Sequence, residues 1–570
     1  MITDKIKQLF PLYRCNAYII PQNNENFTSQ INNKKNRLQY VTNFSGSEGL
    51  ALITQRRNFL FVDGRYVLQA KREVFKSFTI VEIPKLNLQK ILQKQKNIIL
   101  GFDPRLFTSA FFKEFKNKKN IILQPIENNL VDLICKKKEE KKNSYFSILE
   151  EKYSGNPINN KLNTIKKILF NNKSILISDP NLIAWCLNIR DKSQNYNPTV
   201  FGKLFFLKNK TFFFTDKSKI NTKLEEYFKN ILIIEEIHKF ESFLSKIKKQ
   251  KIIIDPLSCS YYDEQILKKN NLIQKDSLSL YKLKSIKNST EISNIKIANL
   301  FDGIAFTKFL IWLKCNIAKE KITEISAQKK LEYFKRLNKN YITSSFPTIS
   351  AFGANGAIVH YNANKKTNKI VNKNNFYLID SGSQYLFGTT DATRTIGFKN
   401  LTKEKKIKFT VVLKAHLQTF LHRFKKNIRG CDLDKIIRKD LISKNMNYTH
   451  GTGHGVGYYL NVHEKPYAIS PFNKLVLDAN VVLTNEPGFY KKNKFGIRIE
   501  NMMITIQKNS KKYFENLTLI PYDKDCILDN ILSQNEKDFI NSYHQKIYFS
   551  LRPFMNKREK KMLFNMCSSI

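Results

Sequence analysis

Cysteine is scarce in this chain and never closely paired. Cys15, Cys135, Cys186, Cys259, Cys315, Cys431, Cys526 and Cys567 are scattered without a Cys-x-x-Cys, which excludes a zinc knuckle and argues against a disulfide framework. A reducing compartment is the expectation. No apolar run approaches the roughly 20 residues that a membrane-spanning helix needs. The start, Met1-Ile-Thr-Asp-Lys-Ile-Lys7, lacks the apolar core and cleavage site of a secretory signal. The chain is therefore expected to be cytoplasmic and soluble, with no membrane partner. Acidic residues are in deficit too: 48 against 97 basic ones leave a formal charge of +49, which raises the question of nucleic acid or an anionic surface. The lysines are spread along the whole chain among asparagine, isoleucine and phenylalanine, a mixture that biased genomic composition also produces. Without paired Cys and His spacings or an aromatic ribonucleoprotein motif, no specific nucleic-acid partner is expected.

What is present divides into three parts. At 570 residues the chain exceeds one comfortable core. Residues 1–154 read as an α/β domain, with Ala17–Ile20, Gly49–Ile53 and Phe59–Val62 as short buried strands. The charge-dense stretch Cys135–Asn143 reads as the approach to a linker. Residues 155–283 repeat the α/β pattern, with strands at Ser174–Ser178, Leu204–Leu207 and Ile252–Asp255, so the two parts look like copies of one fold. The third part, 284–570, opens on a long helix that Ser289 or Thr290 is expected to cap, with Ile292, Ile295, Ala298, Ile304 and Phe309 on its apolar face and Trp312 extending it. Further helices are expected at 324–337, 402–426 and 432–444.

The chemistry gathers between Asp380 and Glu500. Phe376–Asp380 and Phe387–Ile396 read as strands flanking the polar turn Ser381-Gly-Ser-Gln384. A hairpin centred near Tyr385 would set Asp380 directly opposite Asp391, with Cβ atoms about 4.5–5.5 Å apart, which suits carboxylates sharing two metals about 3.5–4 Å from each other. Val481–Glu486 and Phe495–Glu500 flank a second polar turn, Lys491–Lys494, so a hairpin centred near Asn493 pairs Glu486 with Glu500. Between the hairpins lies His450-Gly-Thr-Gly-His454-Gly-Val-Gly457. Four converging carboxylates repel one another unless cations neutralise them, and carboxylates with one imidazole favour manganese, cobalt, iron or zinc. Asp380, Asp391, His454, Glu486 and Glu500 are thus the expected metal ligands. Any one of them could be an ordinary strand-end residue, but all five in two hairpins and a glycine-rich loop are harder to explain that way. Arg498, two residues before Glu500 on the same strand face, could pair with a ligand carboxylate.

This ordered set, together with His360 in Gly353-Ala-Asn-Gly-Ala-Ile-Val-His360-Tyr361 and His463 in Asn461-Val-His463-Glu464, closely resembles the X-prolyl aminopeptidases (aminopeptidase P) of the pita-bread metallopeptidase family, in their long three-domain form. Tyr40–Gly49, Asp63-Gly-Arg65-Tyr66, Ala184–Arg190 and the tail segment Asp538–His544 extend the resemblance over nearly the whole chain. It implies two creatinase-like N-terminal α/β domains followed by a C-terminal α+β pita-bread catalytic domain. It also implies two divalent metal ions, manganese first and zinc or cobalt as alternatives, and a homodimer. The implied reaction is release of the N-terminal residue from peptides with proline second, by attack of a hydroxide held between the metals. Glu486 takes a double role as ligand and proton carrier, His360 and His463 act as catalytic and substrate-binding residues, and Arg65 binds substrate. His450 reads as loop support and His544 as structural. The competing readings are a prolidase confined to Xaa-Pro dipeptides, a pita-bread protein that binds peptides without cleaving them, and simple polyanion association.

Overall fold

A computed structural model describes residues 2–28, 36–83, 85, 87–93, 97–115, 118, 120–135, 144–169, 173–398 and 400–570. The charged stretch at 136–143 lies outside the described residues. The chain forms two compact units, one of residues 1–148, 156–193 and 199–280, the other of residues 149–155, 194–198 and 281–570.

The first unit contains two six-stranded sheets of one design. The first is built from β1 (Ala17–Pro21), β2 (Leu50–Thr54), β3 (Asn58–Asp63), β4 (Phe78–Ile83), β5 (Ile98–Phe102) and β6 (Ile121–Pro125), in the order β4-β3-β2-β1-β5-β6. The second uses β7 (Ser174–Ile177), β8 (Lys203–Phe206), β9 (Thr211–Thr215), β10 (Ile233–Glu236), β11 (Lys251–Ile254) and β12 (Leu272–Lys275), in the order β10-β9-β8-β7-β11-β12. The pairings correspond strand for strand. In each sheet the central strand is antiparallel to one neighbour and parallel to the strand on its other side. The outermost pairs are parallel in both. Strands such as β1, buried along its whole length, need apolar residues on both faces, which is why they read as continuous runs rather than alternations.

The second unit opens on α1 (Ser289–Asn316), whose cap is Asn288, one residue before the expected serine or threonine. The shift follows from a reciprocal box: the Asn288 side chain accepts the Glu291 N–H, and Glu291 accepts the Asn288 N–H. A cap at Ser289 would place Ile292 where that acid is needed. Ile295, Ala298 and Phe309 are buried as expected, and Trp312 packs on the core around Phe306 and Phe309. The following helices are α2 (Glu324–Arg336), α3 (Lys403–Leu421) and α4 (Gly430–Ile442). Helix α3 stops short of 426 because Phe424 and Lys425 pair with Lys512 and Lys511 as a strand.

Sheets in this unit use β13 (Tyr341–Ser344), β14 (Ile349–Phe352), β15 (Tyr377–Ser381), β16 (Ser383–Tyr385), β17 (Gly388–Thr389), β18 (Ala392–Ile396), β19 (Phe424–Lys425), β20 (Gly453–Gly455), β21 (Glu464–Ile469), β22 (Val482–Asn485), β23 (Gly488–Lys491), β24 (Phe495–Arg498), β25 (Asn501–Lys508) and β26 (Lys511–Asn516). The largest runs β19-β26-β25-β22-β20-β21, and β14-β15-β18 forms a smaller one. Leu417, Ile437, Leu483, Ile497 and Met503 join α3 and α4 to these strands in one apolar core, to which α5 (Gln534–Leu551) adds Ile540 and Ile547. Among the described residues no helix is long and apolar enough to cross a membrane.

Candidate metal centre

The glutamate hairpin has the register expected of it. Lys491 pairs with Phe495 and Gly488 with Arg498, and the same register resumes as Asn485 with Asn501 and Val482 with Ile504. Asn493 sits at the turn with φ 57°, a conformation its short polar side chain tolerates. Glu486 and Glu500 occupy the gap where the ladder is interrupted. Their backbone N–H groups turn outward instead, Glu486 to Thr452 O at 2.8 Å and Glu500 to Thr393 O at 3.1 Å. Two backbone bonds thus stitch this hairpin to the histidine loop on one side and to the aspartate strand on the other.

The aspartate hairpin departs from its expected register. Asp380 pairs with Thr393, not Asp391, and Ser381 pairs with Ala392. Ser381–Gln384 is not the turn: Ser383–Tyr385 is strand, Tyr385 pairs with Gly388, and the chain reverses over Leu386 and Phe387. Tyr385 and Phe387 stack with ring centroids 5.5 Å apart, and Phe301 packs on both rings, so an aromatic cluster sets the apex. Because the slip is two residues, Asp391 stays on the face of Asp380 as a diagonal neighbour.

The histidine loop completes the group. Gly453 lets β20 enter the sheet, since a Cβ there would stand 2.0 Å from Thr484 O. His454 is oriented by Gly455 O, 2.9 Å from Nδ1, which leaves Nε2 3.4 Å from Asp391 Oδ2 and 3.7 Å from Glu486 Oε1. Ligand atoms of Asp391, His454 and Glu500 all lie within 4.8 Å of one another. Arg498 donates to Asp380 Oδ2 at 2.6 Å and to Tyr490 Oη at 2.8 Å, while Thr393 Oγ1 donates to Glu500 Oε2 at 2.6 Å. Asp391, His454 and Glu500 therefore converge with Glu486 beside them, Asp380 stands opposite the Thr393 that bonds Glu500, and Arg498 makes its expected pair with Asp380.

The electrostatics describe a site short of positive charge. Burial, partly offset by Arg498 and reinforced by Asp391, pushes the Asp380 carboxyl up to about 6. Burial against His454 and Arg498 leaves Glu486 at about 7. Glu500 is pushed well above the carboxylate range by burial and by its acidic neighbours. Burial pulls His454 down, but Asp391 and Glu486 outweigh it and raise the imidazole to about 9. Asp380 Oδ1 is buried with no hydrogen-bond partner. An orphaned carboxylate oxygen among hard oxygen donors and one imidazole fits a divalent cation.

His463 lies with its ring centroid 4.2 Å from that of His454, edge to face. His360 follows Val359, whose carbonyl is 3.5 Å from Arg498 Nη2. His450 holds Gly451 O and Tyr490 Oη through its two ring nitrogens, as a loop support does. His544, buried, accepts the Tyr522 N–H at 3.1 Å. In the first unit, Arg65 forms a two-point pair with Asp63 at 2.9 and 2.7 Å. Thr393 and Tyr490 are site residues outside the expected set. Thr393 was legible as the next residue on the Asp391 face, whereas Tyr490 carried no signal beyond its place in the second hairpin.

Comparisons with known proteins cover the chain end to end. The creatinase/prolidase N-terminal domain matches residues 4–133 and again 136–291, metallopeptidase family M24 matches 293–507, and the C-terminal region of M24 peptidases matches 512–570. Xaa-Pro aminopeptidase 1 of Dictyostelium discoideum is 35% identical over 99% of this chain and 94% of its own. The Xaa-Pro aminopeptidase of Drosophila melanogaster is 32% identical over 95% and 93%. The crystal structure of an X-prolyl aminopeptidase from Caenorhabditis elegans, described as a cytosolic enzyme with a di-nuclear active site, superposes with a TM-score of 0.95 at 28% identity, covering 100% of this chain and 99% of that one. A prolidase from Pyrococcus furiosus shares the fold over 62% of this chain, with a TM-score of 0.50 at 24% identity.

Proposed function

The chain belongs to metallopeptidase family M24, with creatinase-like N-terminal domains before a pita-bread domain, and from that premise we infer that it is a metal-dependent Xaa-Pro aminopeptidase. It is a hydrolase that releases the N-terminal residue from peptides whose second residue is proline. The observation that carries this reading is the end-to-end likeness to Xaa-Pro aminopeptidases, where the prolidase covers only part of the chain. We assign residues 1–154, 155–283 and 284–570 as the three domains.

Asp380, Asp391, His454, Glu486 and Glu500 would hold two divalent ions, manganese in our assignment, with cobalt or zinc as substitutes. When bound, such ions make water nucleophilic at neutral pH and polarise a carbonyl. The remaining work belongs to side chains. Glu486 and His454 keep 18% and 17% of their side chains exposed, against 5% for Asp391, so Glu486 is the carboxylate open to an incoming substrate. It takes the proton of the attacking water and returns it to the leaving proline nitrogen, which as a tertiary amide carries no hydrogen of its own. His360 and His463 bind the peptide and stabilise charge developing on the scissile carbonyl oxygen. Arg65 binds substrate. Arg498 holds Asp380 in place and, through Tyr490, His450. We assign the protein to the cytoplasm as a homodimer, a state that sedimentation equilibrium measures.

The test is hydrolysis of Arg-Pro-Pro with manganese supplied or chelated, with product identification. Free arginine and Pro-Pro are expected only with metal. Cleavage confined to dipeptides across a length series would make the protein a prolidase, and absence of cleavage with manganese, cobalt and zinc alike would overturn the reading.

A further inference from the structure

Outside the metal centre, three charged side chains are buried together. Glu464 takes Lys284 Nζ on one carboxylate oxygen and Lys287 Nζ on the other, and the three side chains are 2%, 4% and 1% exposed. Lys287 Nζ also donates to Lys284 O at 3.3 Å. Two ammonium groups thus share one carboxylate in the interior. Burying ions costs several kcal/mol each, and apolar residues of similar volume generally serve stability as well or better. The triad therefore calls for an explanation other than stability.

Its place supplies one. Glu464 follows His463 directly and begins β21, across from Gly455, the residue after His454. His463 is exposed, and the backbone beneath it carries its ring to the edge-to-face contact with His454. The lysines come from a segment that is itself pinned. Ile286 bridges to Val481, and the Lys287 N–H donates to Asn480 O at 2.9 Å, immediately before the strand that leads to Glu486. Glu464 is thus tied to the same frame that carries a candidate metal ligand.

We propose that Lys284, Glu464 and Lys287 are positioning residues for the reaction, a buried clamp that fixes His463 relative to the metal centre. This rests on the peptidase reading and on His463 as a substrate contact. Replacing either lysine with methionine leaves Glu464 its other ammonium partner, so Lys287→Met and Lys284→Met should fold and keep wild-type metal content. Their kcat/KM on Arg-Pro-Pro should fall about tenfold, the lower range for outer-shell partners of a metal site. In a His463→Ala background the same lysine changes should cost less than about twofold, because groups acting through one residue are not additive. Should a methionine variant fail to fold, Lys287→Arg, which keeps the charge and changes the reach, enters the same cycle with the same expectation. Full activity in the lysine variants, or an undiminished loss in the His463→Ala background, overturns the clamp while leaving the peptidase standing. Wild-type protein inactive on Arg-Pro-Pro overturns the peptidase reading itself.

Discussion

The glutamate hairpin keeps a single register from Val482 to Ile504, while the aspartate hairpin is drawn two residues past its expected register by an aromatic apex. The first turns on Lys491–Lys494, where polar side chains and a left-handed Asn493 make the reversal. The second contains Ser-Gly-Ser-Gln, a turn by composition, yet reverses over Leu386 and Phe387. Burying Tyr385 and Phe387 on Phe301 outweighs local turn preference, because two aromatic rings remove far more apolar surface from water than a polar turn stabilises. The acidic cluster survives the slip because a shift of two residues preserves the face. A shift of one would have turned Asp391 to the other side of the sheet.

The largest effect expected from testing this comparison is at Asp391. Asp391→Asn should lower kcat/KM on Arg-Pro-Pro by on the order of 10³ or more and reduce bound metal, read by metal analysis. Thr393→Val and Arg498→Lys come next. Thr393 stands opposite Asp380 and donates to Glu500, and Arg498 joins Asp380 to the glutamate hairpin. Each change should cost about 10–100-fold in kcat/KM with metal largely retained. If Thr393→Val proved silent, the hydroxyl link between the hairpins would carry no weight. Gly496→Ala should act on stability instead, since its Cβ would lie 1.7 Å from Gly356 O. A loss of about 1–3 kcal/mol in urea unfolding is expected.

The smallest effect per step is with pH. Behind the aspartate hairpin Lys335 donates to Ser381 Oγ at 2.7 Å and Gly382 O at 2.9 Å. Behind the glutamate hairpin lies His416, whose carbonyl accepts Asn485 Nδ2 at 2.9 Å. Burial, then Arg394, lowers the His416 pKa from 6.5 to about 3, and burial with Lys524 and Arg394 does the same for His544. Between about 3 and 6.5 the unfolded chain binds protons that the folded chain refuses. The contribution of these histidines is therefore complete above about pH 6.5 and is lost as pH falls from there toward 3. The slope is about 1.4 kcal/mol per pH unit for each histidine. His416→Gln, compared with wild type in urea melts at pH 7 and pH 5, should show a shallower loss.

The legible parts of the molecule were those where local pattern and global packing agree. Runs such as Ala17–Ile20 and Ile252–Ile254 are strands because parallel and central strands bury both faces, and the doubled α/β pattern is matched by two sheets of identical strand order. The cap of α1 was missed by one residue, since Asn288, Ser289 and Thr290 are all competent and the choice belongs to Glu291 three places on. The end of the helix at Leu421 was missed because Phe424 and Lys425 find a partner strand nearly ninety residues away.

The sequence by itself determined a group of four carboxylates and one imidazole, and the two-residue periodicity that keeps each acidic pair on one face of its hairpin. Tertiary structure alone decided how they meet. Register at Asp380 is set by rings packed against a distant helix, and the hairpins are joined by backbone bonds from Glu486 and Glu500 to Thr452 and Thr393. Such bonds depend on chain groups that every residue carries alike, so no side-chain pattern announces them.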